Sequence, residues 1–269
     1  MNIMKIPTIP LFLILCTFFS CQNSGEKAPT TFQNKGHELV YKVVQKTGDA
    51  EKLSQLKDVV YTYTYTTPDG KQDISTEKYI FDGEMSYGRY SKHERTLTQF
   101  EGAIEQGFDG TTFWLKNNGQ YIDDEEAMKR VVFNRKTNYY WFAMFQKLLD
   151  PGLKYKYIKE QTLNGKTYDI VDVLFDSDKP TDTYRLYINQ KTSLVDQFIF
   201  TVVDFNVVEE PFLMKMEYEE IDGLLIPTKR QYTKADWEGN VVNEKAWIDV
   251  QWTDIQFDKN LSKTLFKKM

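Results

Sequence analysis

The chain has 269 residues, a formal net charge of −5 and an aromatic content of 15%. Its Lys/Arg and Asp/Glu residues are interspersed, which makes a mixed solvated surface and argues against nucleic-acid binding, since that needs a basic face. The length suits one substantial domain with its own core.

Residues 1–20 read as an export signal. Lys5 is the only charged residue before Cys21, and Leu11 to Phe19 is an apolar run within the roughly 7–15 residues of a signal-peptide core. It is shorter than the roughly 20 apolar residues a membrane span requires. Ser20-Cys21 supplies the small residue that a lipoprotein signal peptidase demands before the acylated cysteine, although Phe18 stands where Leu is usual. Cys16 is the competing acceptor, but it follows the bulky Leu15. An ordinary secretory peptide or a short anchor is the plainer alternative. Once the leader is gone Cys21 is the only cysteine, so no intrachain disulfide forms, and acylation removes a thiol exposed to an oxidising space. Loss of Lys5 takes the formal charge from −5 to −6. Residues 21–34 are expected to be the lipidated N-terminus and a flexible polar tether, holding the protein to a membrane through several acyl chains. Gln22 in place of Asp points to the outer membrane.

Residues 35–269 are expected to form a single domain. Leu39, Val40, Val43 and Val44 repeat at helix spacing, and the pattern predicts helix over 36–56, broken at Gly48-Asp49 and resumed from Ala50 to Leu56. The period then changes to two. Val59 to Thr66 leads into Pro68-Asp69-Gly70, Ile74 to Phe81 into Asp82-Gly83, and Thr111 to Lys116 into Asn117-Asn118-Gly119; these are hairpin signals. Alternation is clearest in the second half, in the runs from Leu153, Tyr168, Tyr184, Met214 and Ala246. The sum is a meander of about ten or eleven antiparallel strands with one wet face. A helical insert near 123–150 interrupts it. Asp123, Asp124, Glu125 and Glu126 place negative charge in a first turn, Trp141, Phe145 and Leu148 recur at helix spacing, and Asp150-Pro151-Gly152 stops the run. A helix that is aromatic on most sides must be enclosed. The expected fold is therefore mainly β, α+β in class, a strongly curved sheet forming an open half-barrel around its helices.

No catalytic signature stands out. His37 and His93 are separate and the one remaining cysteine is the acylation site, which argues against a zinc centre; no metal or cofactor is expected. There is no Gly-x-Ser-x-Gly elbow and no phosphate loop. Helix capping accounts for the acidic run at 123–126 better than catalysis does. The aromatic content is the stronger signal. Trp114, Tyr140, Trp141, Met144, Phe145 and Leu148 are candidates to line a groove for acyl chains, against the plainer reading that each is ordinary core.

The order of elements resembles the periplasmic lipoprotein carriers of the Lol pathway and their outer-membrane receptor, a LolA/LolB-like half-barrel. A family of uncharacterised bacterial lipoproteins shares that style. The features that carry the resemblance are Lys52-Leu53-Ser54-Gln55-Leu56-Lys57, the Tyr/Val strand at 58–66, and Phe108-Asp109-Gly110-Thr111 before Phe113-Trp114. Leu148-Leu149-Asp150-Pro151 and the strands from Tyr155 to Thr201 complete it, so that it spans nearly all of residues 36–260. The resemblance implies a helical lid over an apolar interior for acyl chains. The expected function is that of a non-enzymatic, outer-membrane-anchored binder of a lipid or other hydrophobic ligand, with lipid or lipoprotein trafficking as one role open to it. A structural or partner-binding lipoprotein with a solid core is the alternative, and a carboxylate-dependent envelope hydrolase the third reading.

Overall fold

The computed structural model describes residues 31–49, 52 and 55–268. The leader, Cys16, Cys21 and residues 22–30 of the tether lie outside the described residues. Helix α1, Lys35–Gly48, starts where the Asn34 side chain accepts from the backbone N–H of His37 at 3.1 Å. It ends where Asp49 turns to φ 71°. It buries Val40, Val43, Val44 and Thr47, three of them β-branched valines that fit tightly against the sheet.

Thirteen strands follow: β1 Asp58–Thr66, β2 Gln72–Ile80, β3 Met85–His93, β4 Ile104–Phe108, β5 Phe113–Asn117, β6 Gln120–Ile122, β7 Leu153–Leu163, β8 Lys166–Phe175, β9 Tyr184–Asn189, β10 Val195–Val202, β11 Val207–Ile221, β12 Leu224–Lys234 and β13 Ile248–Phe257. All pair antiparallel in one sheet of order β6-β5-β4-β3-β2-β1-β13-β12-β11-β10-β9-β8-β7. The expectation of ten or eleven strands falls short by β4 and β6. The first is five residues interrupted by Gly107 and the second is three residues, both too short to establish an alternation. Three connections are two-residue turns with both dihedrals positive: Asn118-Gly119 (49°, 80°), Asn164-Gly165 (51°, 75°) and Asp222-Gly223 (51°, 73°). These mirror-image turns match the twist of the strands they join, which fixes register at β5–β6, β7–β8 and β11–β12.

The edges β6 and β7 do not pair with each other, so the barrel stays open. Helix α2, Glu125–Lys147, is the link between those two edges and crosses the concave face. Its acidic start caps it, as expected: the Asp124 carboxylate accepts from Ala127 N–H at 2.8 Å. The main core gathers side chains of α1, β1, β2, the second half of α2 and β7–β13.

The outer face is less wet than alternation suggests. The β12–β13 connection lays Trp237, Val241 and Trp247 over Tyr168, Ile170, Tyr187, Ile199 and Leu213. The C-terminal segment lays Leu261, Leu265 and Phe266 over Ile80, Tyr87 and Trp114. Strand β8 is consequently buried on both faces from Tyr168 to Val173.

Candidate functional site

The second half of α2 is the centre of the concave interior. Phe142 points to one flank of the sheet, with its ring 4.8 Å from Tyr61, 5.1 Å from Trp252 and 5.8 Å from Tyr79. Trp141 points to the other, 5.4 Å from Phe198 and 4.9 Å from Phe200, and Tyr140 lies 5.6 Å from Tyr184. The second half of this helix is gripped from both sides by one curved sheet and has no fully exposed residue after Lys136, which is why its aromatic residues run almost all round. Met144, Phe145 and Leu148 are buried beneath it, and the Leu148 carbonyl accepts from Tyr155 Oη at 2.7 Å. Five of the six candidate lining residues, Tyr140, Trp141, Met144, Phe145 and Leu148, thus share this one core. Trp114 does not. It lies on the outer face, donates from Nε1 to Phe266 O at 2.6 Å, and packs over Gly107, where a Cβ would stand 2.2 Å from the indole.

The apolar cavity beside Phe81, Phe142, Phe145, Ile226 and Phe257 holds about 20 Å³, room for one water, whereas a drug-sized ligand occupies roughly 300–1,000 Å³. Yet Tyr63, Tyr140, Trp141, Phe142, Phe212, Tyr218 and Tyr232 are only half-buried. Burial drives the Tyr63 and Tyr218 phenols far above their usual range, so these rings are deep but not sealed. A hollow of about 640 Å³ lies near Thr76, Arg89, Lys92, His93 and Glu94, where Lys92 pairs with Glu94 at 3.0 Å.

Two buried arginines went unnoticed in the sequence. Arg135 of α2 is fully buried and forks onto Glu77 of β2, Nη1 to Oε2 at 2.7 Å and Nη2 to Oε1 at 3.2 Å. Ser75 and Tyr79 donate to the same carboxylate at 2.6 and 2.9 Å, and Gln106 accepts from Arg135 Nε at 3.3 Å. Gly88 lies under the guanidinium, where a Cβ would approach Nη1 to 2.6 Å. Arg230 of β12 is 3% exposed. It donates from Nε to Pro227 O at 3.2 Å and from Nη2 to Trp141 O at 3.0 Å, and lies 3.9 Å from the Trp252 ring centroid. No carboxylate pairs with it among the described residues. Desolvation accordingly lowers its pKa to about 10. Periodicity could have placed both arginines on the inner face, the helical one setting Arg135 one turn before Tyr139 and the strand one setting Arg230 two residues before Tyr232, but a charged residue on a core face reads as a break in the pattern.

His37 stacks on Tyr155 at 4.7 Å, and burial lowers its pKa. His93 Nε2 lies 2.9 Å from Gly102 O. Among the described residues no group of three or more His, Cys, Asp or Glu could hold a metal ion, and no helix is long and apolar enough to cross a membrane.

Neither a family model nor a curated protein matches the sequence. Solved structures do match the fold. A LolA superfamily protein from Nitrosomonas europaea superposes with a TM-score of 0.52 at 12% identity, over 87% of this chain and 97% of that one. A DUF1329 family protein from Desulfovibrio piger gives 0.50 at 12% identity, over 87% and 98%. The chain has a LolA-like fold.

Proposed function

We propose that this protein is a lipoprotein of the outer membrane, anchored through Cys21, that receives a lipid or other hydrophobic ligand between the sheet and the second half of α2 without chemically altering it. Tyr140, Trp141, Met144, Phe145 and Leu148 line the site; Trp114, on the opposite face, serves to hold the C-terminal segment. The observation that carries the reading is α2 itself. It joins the two unpaired sheet edges and inserts aromatic rings toward both flanks, so one outward shift of this helix exposes a continuous apolar trough. The LolA-like fold supports it.

The cavity of about 20 Å³ favours a second reading, a partner-binding lipoprotein whose interior is solid core. Uptake of a fluorescent fatty acid separates the two. A ligand binder takes up the probe to about one per chain, and a solid core takes up none. Export and anchoring are tested apart from binding: Cys21→Ala should yield an unlipidated protein of altered mass that leaves the membrane fraction.

A further inference from the structure

Around one buried cation the interior leaves hydrogen-bond donors without acceptors. Arg230 spends Nε and Nη2 on two backbone carbonyls, and no carboxylate pairs with it among the described residues. Trp252, 2% exposed with its ring against that guanidinium, carries an Nε1–H without an acceptor. Thr228, 2% exposed and two residues before Arg230 on β12, carries a hydroxyl without a partner. A buried donor without an acceptor is costly, and a buried cation without an anion more so. Folds that need such a cation for stability alone give it a carboxylate, as this one does at Arg135 and Glu77. A purely apolar ligand would satisfy none of these groups. A zwitterionic head would bring a second cation beside the first.

We propose that Arg230, Trp252 and Thr228 form a subsite for the head of an anionic amphiphile, a small oxyanion of which a fatty carboxylate is the simplest. The proposal rests on the ligand-binding reading above and names the class of ligand. A guanidinium presents paired N–H groups in the spacing of carboxylate oxygens. The carbonyls of Pro227 and Trp141 now stand where acceptor oxygens of the head would lie, and the indole N–H and the threonine hydroxyl supply further donors. The chain of the amphiphile then runs along Phe142 and Phe145 toward the small apolar cavity that begins at Pro227 and Ile226.

The experiment compares cis-parinaric acid with its methyl ester, binding to the chain from Gln22 onward, which contains every described residue. At pH 7 the acid should bind about ten- to a hundredfold more tightly than the ester, the span that hydrogen bonds to a charged group supply. Arg230→Gln should erase that preference while leaving ester affinity in place. Should Arg230→Gln not fold, Trp252→Phe, which deletes only the indole N–H, should lower acid affinity several-fold and ester affinity not at all. Equal binding of acid and ester by the unaltered protein overturns the subsite while the groove reading stands. Binding of neither overturns the groove reading itself. Displacement of the acid by millimolar acetate would identify a site for free small anions and overturn the amphiphile assignment; absence of displacement supports it.

Discussion

Arg135 and Arg230 are both buried in the same concave interior, and they are opposites. Arg135 has a bidentate carboxylate, a glutamine oxygen and a glycine that makes room for it, and its pKa is held above the ordinary range despite burial, chiefly by the Glu77 charge. Arg230 has two backbone carbonyls and two indole faces, and its pKa falls to about 10. The first is a charge-paired structural pin that fixes the middle of α2 to β2. The second is an unfinished site. Buried charge on its own therefore does not mark function; a buried cation left without a carboxylate does.

The largest test is alkaline pH, because both arginines sit among buried phenols: Tyr79 and Tyr90 beside Arg135, Tyr61, Tyr63 and Tyr218 beside Arg230. Burial raises these pKa values, that of Tyr90 to about 12. A raised folded-state pKa gives stability that is complete below the unfolded value near 10 and is lost as pH rises through the folded one. Each such phenol removes about 1.4 kcal/mol per pH unit in that window. Arg230 acts in the opposite sense, its penalty fading above pH 10, but one group cannot offset several. Denaturant titrations should therefore show steep loss of stability between about pH 10 and pH 12; a flat profile breaks the buried-tyrosine picture.

Next in size, Arg135→Met should cost about 3–5 kcal/mol, since it strands Glu77 as an uncompensated buried charge. Trp141→Ala should cost less than the roughly 3–5 kcal/mol of a sealed core aromatic and should weaken fatty-acid binding; full core cost with no binding in the parent would favour the solid-core reading. The smallest effect is expected at Arg230→Met, within about 1 kcal/mol of the parent by urea unfolding, because it strands no partner charge. If both arginine variants lost equal stability, the contrast between pin and site would collapse.

The layered plan was readable because periods announce themselves: Val40, Val43 and Val44 at helix spacing, Tyr61, Tyr63 and Tyr65 at strand spacing, and Asn-Gly or Asp-Gly at the tight turns. The acidic start of α2 was readable as a cap for the same local reason. Trp114 shows the limit. Its size and its Phe113 neighbour look like the groove residues, and only the pairing of β4 with β5, together with the C-terminal segment, puts it outside. Arg230 shows another. The meaning of an arginine on an inner face depends on whether a carboxylate 58 residues away reaches it, as Glu77 reaches Arg135, and no local pattern carries that. The two outer straps were invisible because Trp237 and Phe266 lie in segments without periodicity, and Trp247 falls where the sequence alternation from Ala246 begins two residues before β13 does.

The most direct measurement is mass spectrometry of whatever is extracted from the chain from Gln22 onward, purified without detergent, followed by refilling of the stripped protein with parinaric acid. The account predicts an amphiphile at near one per chain with acidic species enriched over neutral ones, and recovery of binding on refilling. Protein that carries no extractable amphiphile and takes up no probe would contradict it.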